Sequence, residues 1–122
     1  MAGQLARAVA RLVERCPYAE SVHDLITKQR VVLGGGYLLD LYYNEALEKY
    51  SYTLVDSGKR VLGWDNAPHH PRLKSFPHHF HAVDGRVLSS SLVGDPERDI
   101  DLVVKTVNRY LRESQSRGHT PA

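Results

Sequence analysis

One cysteine, Cys16, stands among 122 residues, so no disulfide can form within the chain. A zinc finger and a CxxC redox site are excluded on the same count, since each needs a cysteine pair. This scarcity fits a reducing, cytoplasmic setting. Long hydrophobic runs are also missing: no apolar stretch approaches the roughly 18 residues of a membrane span. The segment 2–16 interrupts its apolar residues with Arg7, Arg11 and Arg15. It therefore lacks the continuous core of a secretory leader and reads as the first helix of the folded domain. No internal repeat or low-complexity segment is present. The formal net charge of +2 is too small to indicate nucleic-acid binding by itself.

What remains is ordinary for a globular domain, with 42% hydrophobic and 25% charged residues. This length suits one domain able to bury roughly two-thirds of its unfolded surface. We read that domain as residues 1–113, followed by a disordered tail at 114–122. The charge is distributed unevenly. Lys59, Arg60, Arg72, Lys74 and Arg86 face only Asp65 and Asp84 between positions 59 and 86, while 95–101 is acidic.

Leu5, Val9, Leu12, Val13 and Cys16 recur at helical spacing, and Pro17 ends that helix. Residues 26–33 read as a strand, and Gly34-Gly35-Gly36 as a hairpin turn. Residues 37–43 and 50–55 alternate with period two, separated by a short turn at 44–48. Asp56-Ser57-Gly58 marks another turn before a fourth strand at 60–64. The segment 65–75 is a proline-punctuated loop, and 76–83 reads as a fifth, edge strand because of Pro77. Asp95 and Pro96 then look like an N-cap and first helical residue. Ile100, Val103, Val104, Val107 and Leu111 form that helix's apolar face. The expected fold is α+β: an antiparallel four- to five-stranded β-meander flanked by an N-terminal and a C-terminal helix.

Five of the seven histidines fall within thirteen positions: His69, His70, His78, His79 and His81. Imidazole is the side chain that titrates near neutrality and the commonest metal ligand. On an extended 76–83, His79 and His81 share one face, toward a cleft or solvent, while Phe80 points to the core and His78 is structural. Asp65, at the end of the fourth strand, can orient an imidazole. Two histidines with a nearby cation (Arg60, Arg72 or Lys74) suit metal-independent acid–base cleavage of RNA. His69, His79 and His81 alternatively make a three-ligand metal set, such as for zinc, although the spacing matches no specific metal motif. Anion binding without chemistry, and bracing of the loop, stay open too. Five tyrosines (37, 42, 43, 50 and 52) include a candidate base-stacking platform, against simple cross-strand pairing.

Lys49-Tyr50-Ser51-Tyr52, then Trp64-Asp65-Asn66-Ala67-Pro68-His69-His70, then Phe76-Pro77-His78-His79-Phe80-His81 resemble the TumE family of toxin–antitoxin toxins. The resemblance covers about residues 26–112 and leaves the N-terminal helix outside. It implies a growth-inhibiting toxin with a cognate antitoxin protein as partner, and it supplies no mechanism. Asp65, Asn66, His69, His70, His78, His79 and His81 are the motif residues it carries over. Family members often have a basic residue ahead of the aromatic of the first block. Gly63 occupies that place here, so a cation at that point is in doubt unless Arg60 substitutes. The combined expectation is an endoribonuclease without cofactor. His69, His79, His81 and Asp65 are its catalytic groups, and Arg60, Arg72, Lys74, His70 and Asn66 contact RNA. A non-enzymatic metal- or nucleotide-binding module acting through a protein partner is the alternative, and a homodimer is left open.

Overall fold

A computed structural model describes residues 3–117. In chain order, helix α1 (Gln4–Arg15) precedes strands β1 (Ala19–Asp24), β2 (Gln29–Leu33), β3 (Tyr37–Asn44), β4 (Lys49–Asp56), β5 (Lys59–Asp65), β6 (His79–His81) and β7 (Val87–Ser89). Helix α2 (Pro96–Ser116) closes the chain. The strands form one antiparallel sheet whose spatial order follows the sequence order throughout. The meander and the two flanking helices are as expected. The strand count is seven rather than four or five.

Both additional strands lie at sheet edges and lack the signals that betray a strand. β1 is almost wholly exposed, so nothing in Ala-Glu-Ser-Val-His-Asp alternates. β7 has only three residues. Its presence moves β6 off the edge. Residues 76–78, read as strand, belong instead to the loop, and β6 begins at His79. The strand read at 26–33 starts at Gln29, after a tight turn in which Ile26 takes a φ of 72°. At the C-terminus the helix runs through Ser116, into the segment read as disordered; 118–122 lies outside the described residues.

Both helices cover one face of the sheet. Ala8, Val9 and Leu12 of α1 and Ile100, Val103, Val104, Val107 and Leu111 of α2 are buried there. Beneath them lie Leu39 and Leu41, Tyr50, Tyr52 and Leu54, and Leu62 and Trp64, the alternate residues of β3, β4 and β5. α2 starts where the sequence says: Asp95 accepts from the Glu97 N–H, and Pro96 needs no partner. The helices are tied together by Arg7–Glu97 at 2.9 Å and Arg15–Asp101 at 2.6 Å. No helix among the described residues is long and apolar enough to cross a membrane.

The opposite face of the sheet has no helix on it. It carries the alternate set: Asp40, Tyr42, Ser51, Thr53, Gly63, Asp65, His79 and His81. Asp40 is held there by Arg30 at 2.8 Å and Lys28 at 2.9 Å. Burial raises its pKa, but the hydrogen bonds and charges of Arg30 and Lys28 outweigh burial and hold it below the usual carboxylate range. A depressed folded pKa means stabilisation that is full above the unfolded value and lost as pH falls through the folded one. Asp40→Asn should therefore cost about 1 kcal/mol at pH 7, a modest figure because both cations are about one-third exposed. In urea unfolding, the gap between variant and wild type should close as pH falls below the ordinary carboxylate range. A gap that persists at low pH would point to packing rather than charge.

Candidate functional site

The uncovered face owes its chemistry to strand register. Asp65 at the end of β5 pairs directly with His79 of β6, and Gly63 with His81. Residues two apart on a strand share a face, so both imidazoles flank the carboxylate. The His79 Nε2 lies 3.0 Å from Asp65 Oδ1 and 3.1 Å from His81 Nε2. The His81 Nε2 lies 3.0 Å from Asp65 Oδ2. Three polar groups thus close a triangle.

The two imidazoles differ in what holds them. His79 Nδ1 is 3.1 Å from the Pro77 carbonyl. A carbonyl only accepts, so Nδ1 carries the proton and Nε2 is the nitrogen left for Asp65. His79 is only 2% exposed, because the 66–78 loop folds over it and sets the His70 ring 4.7 Å away, edge to face. The expectation that both histidines face a cleft or solvent is corrected here: His79 is roofed, and His81 is the partly open one, its side chain 16% exposed. The His81 Nδ1 has no hydrogen-bond partner among the described residues. Burial first, then Arg60, pushes His81 below the usual imidazole range, against the pull of Asp65 in the other direction.

Arg60 reaches the site through an irregularity. Leu54 pairs with Leu62, but Val55 pairs with Arg60, so Val61 is an extra residue and β5 is bulged there. Strict alternation would place Arg60 under the helices with Leu62 and Trp64. The bulge puts it across from Val55 on the histidine face. There its Cδ lies 3.5 Å from the point a Gly63 Cβ would occupy. Arg60 makes no hydrogen bond or ion pair among the described residues.

Asp65 also shapes the entrance. Its Oδ1 accepts from the Ala67 N–H at 2.9 Å and turns the chain into the loop. Just beyond it is a pocket of about 430 Å³, lined among others by Tyr42, Lys49, Ser51, Asp65, Pro68 and His69. His69 is exposed, and its ring has no hydrogen bond or ring contact among the described residues. Lys49 was not singled out from the sequence as a site residue, and Tyr42 was only one of five tyrosines in the candidate stacking platform. Register could have found them, since Ser51 pairs with both Tyr42 and Asp65. A separate hollow of about 380 Å³ between the helices holds Arg15, Asn108 and Arg109 but no imidazole.

Not every motif residue joins the triangle. Asn66 donates to the Glu48 carbonyl at 2.7 Å and accepts from the Tyr50 N–H at 3.1 Å, so its amide clamps the start of β4. The residue also lines the pocket beside Asp65. His78 lies on the helix side, its Nδ1 2.8 Å from the Tyr50 hydroxyl and its ring stacked on Tyr50. Burial, then Asp99 and Asp65, raises the Tyr50 pKa, so the phenol keeps its proton. Arg72 lines a shallow hollow with His69 and His70. Lys74 is exposed, with no hydrogen bond or ion pair to the site. The metal set His69–His79–His81 is not brought together; Asp65 takes the place of His69, with the ligand atoms of Asp65, His79 and His81 all within 4.8 Å of one another.

Comparison with known proteins returns one family. A family model described as Toxin TumE matches residues 5–111, which takes in the N-terminal helix as well as the motif blocks. No curated protein and no solved structure matches the chain.

Proposed function

Because the chain belongs to the TumE family of toxins, we propose that it arrests growth by cleaving RNA at the Asp65–His79–His81 centre, without a metal in the chemical step. Membership in a toxin family implies an antitoxin partner in general. The finer reading rests on one observation: an oriented imidazole with a free nitrogen, beside an unpaired guanidinium, next to a pocket of nucleotide size.

In this reading His81 is the base. Asp65 accepts from its Nε2–H, which leaves the lone pair on the unpartnered Nδ1. That nitrogen takes the proton of a ribose 2′-hydroxyl, and Asp65 stabilises the imidazolium that forms. The 2′-oxygen attacks phosphorus and the bond from phosphorus to the 5′-oxygen breaks. His69, exposed at the pocket rim, gives its proton to that 5′-oxygen. The products are a 2′,3′-cyclic phosphate and a 5′-hydroxyl. Arg60 and Lys49 offset the charge that gathers on the phosphate. Tyr42 offers a face for a base to stack on. His79, too deeply roofed to touch substrate, packs behind Asp65 and acts as a positioning residue.

Purified chain is to be incubated with RNA in EDTA and the product ends examined. Cyclic phosphate ends are expected, with cleavage about 10²–10⁴-fold slower in His69→Ala. Lys49→Ala should raise KM more than it lowers kcat. RNA left intact by a wild-type chain that still arrests growth would exclude this chemistry.

A further inference from the structure

The triangle poses an electrostatic problem that hydrogen bonds alone do not solve. With its proton fixed on Nδ1 by the Pro77 carbonyl, a neutral His79 presents a lone pair at Nε2. Asp65 Oδ1, 3.0 Å away, brings lone pairs of its own. The His81 Nε2–H can serve Asp65 Oδ2 or His79 Nε2, but it does not lie between His79 and Oδ1. A cation shared by all three groups would sit where those lone pairs converge.

The cation fits the spacing. Nitrogen and oxygen ligands about 2.0–2.2 Å from a single ion stand roughly 3.0–3.5 Å from each other. The two Nε2 atoms stand 3.1 Å apart, and each stands 3.0 Å from a different oxygen of Asp65, so the carboxylate would meet the ion with both oxygens. An imidazole that ligates metal through one nitrogen usually gives its other N–H to a carbonyl or carboxylate, which fixes ring and tautomer. The His79 contact to Pro77 is of that kind. His79 is 2% exposed, so solvent does not compete at its Nε2, while Asp65 also lines the open pocket. Two imidazoles and one carboxylate suit zinc, nickel, cobalt or ferrous iron, and disfavour magnesium and calcium, which prefer all-oxygen shells.

We propose that Asp65, His79 and His81 bind one divalent transition-metal ion through the two Nε2 atoms and the carboxylate, and that the loaded chain is catalytically silent. The silence rests on the function proposed above; the binding does not. An ion on the His81 Nε2 leaves that imidazole's remaining proton on Nδ1, the nitrogen assigned as base. Metal and base chemistry then exclude each other, and free zinc becomes a brake on the toxin.

The test uses full-length chain without a histidine tag, stripped with a chelator and titrated with zinc against a chromogenic competitor. One zinc per chain is expected. His81→Ala and Asp65→Asn should each weaken binding by about 100-fold or more, while His69→Ala leaves zinc affinity unchanged. Zinc should raise the Tm of the wild-type chain and not that of His81→Ala, because an ion bound only to the folded state stabilises it. Binding below one equivalent, or binding indifferent to both His81→Ala and Asp65→Asn, overturns the site. Cleavage is then followed with and without zinc. Loss on zinc addition and recovery in EDTA support the brake; cleavage that needs zinc overturns it. RNA left intact in both states removes the ribonuclease reading, while the titration still decides the metal.

Discussion

Cells producing His81→Ala keep growing where the wild-type chain arrests them, and RNA cleavage by the purified variant falls about 10²–10⁴-fold. The size of the expected loss follows from the ring's position. His81 is the one member of the triangle with a free nitrogen and an opening to solvent. The fold should tolerate the change, because the ring is partly exposed and β6 is held by backbone pairing on both sides. Far-UV circular dichroism and Tm check that point. Asp65→Asn should give a loss of similar order by a different route. An amide can offer its N–H to the ring and so favour the tautomer whose free nitrogen faces the wrong way. A His81→Ala chain that is folded and fully toxic would move the chemistry away from this face altogether.

Gly63→Ala should unfold the protein more readily than most single substitutions, by about 2–3 kcal/mol. A Cβ at Gly63 would stand 2.8 Å from the Tyr52 carbonyl and 3.4 Å from the Thr53 Cα, both backbone atoms of the neighbouring strand. Neither can swing aside as a side chain would, so β4 and β5 must part. The next contact is with Arg60, at 3.5 Å, so the displaced strand carries with it the cation proposed to hold phosphate. Thermal unfolding and a cleavage assay read the two effects separately. A variant as stable as wild type would show that β4 can yield at Tyr52. This glycine also answers the question raised by the missing basic residue ahead of Trp64. The position has no room for a side chain, and the bulge at Val61 delivers Arg60 to the same face instead.

The parts of the molecule that were legible in sequence are those where burial imposes a period. Helix α2 was readable to its cap because Asp95, Pro96 and five apolar residues agree. β3 and β4 were readable because the helices bury every second residue. β1 was not, since an exposed edge strand has no face to encode. At the site, parity alone paired His79 with His81. It could not say that a loop would roof one of them, because that depends on where His70 lands. Nor could it place Arg60, since a bulge is a break in the very alternation used to read the strand. Asn66 sat inside a motif block and read as a ligand contact; that its amide also clamps the backbone of residues 48 and 50 could not be read from spacing.

The order of elements sets when this protein becomes whole. Each strand pairs with the one made just before it, so the sheet closes through short loops as the chain is synthesised. The exception is α1, whose ion-pair partners Glu97 and Asp101 lie on the last helix to be translated. Asp65, His79 and His81 are in register well before α2 exists to shield the apolar side beneath them. A ribosome that stops short of Pro96 therefore releases a sheet with its greasy face bare, fit for aggregation or proteolysis.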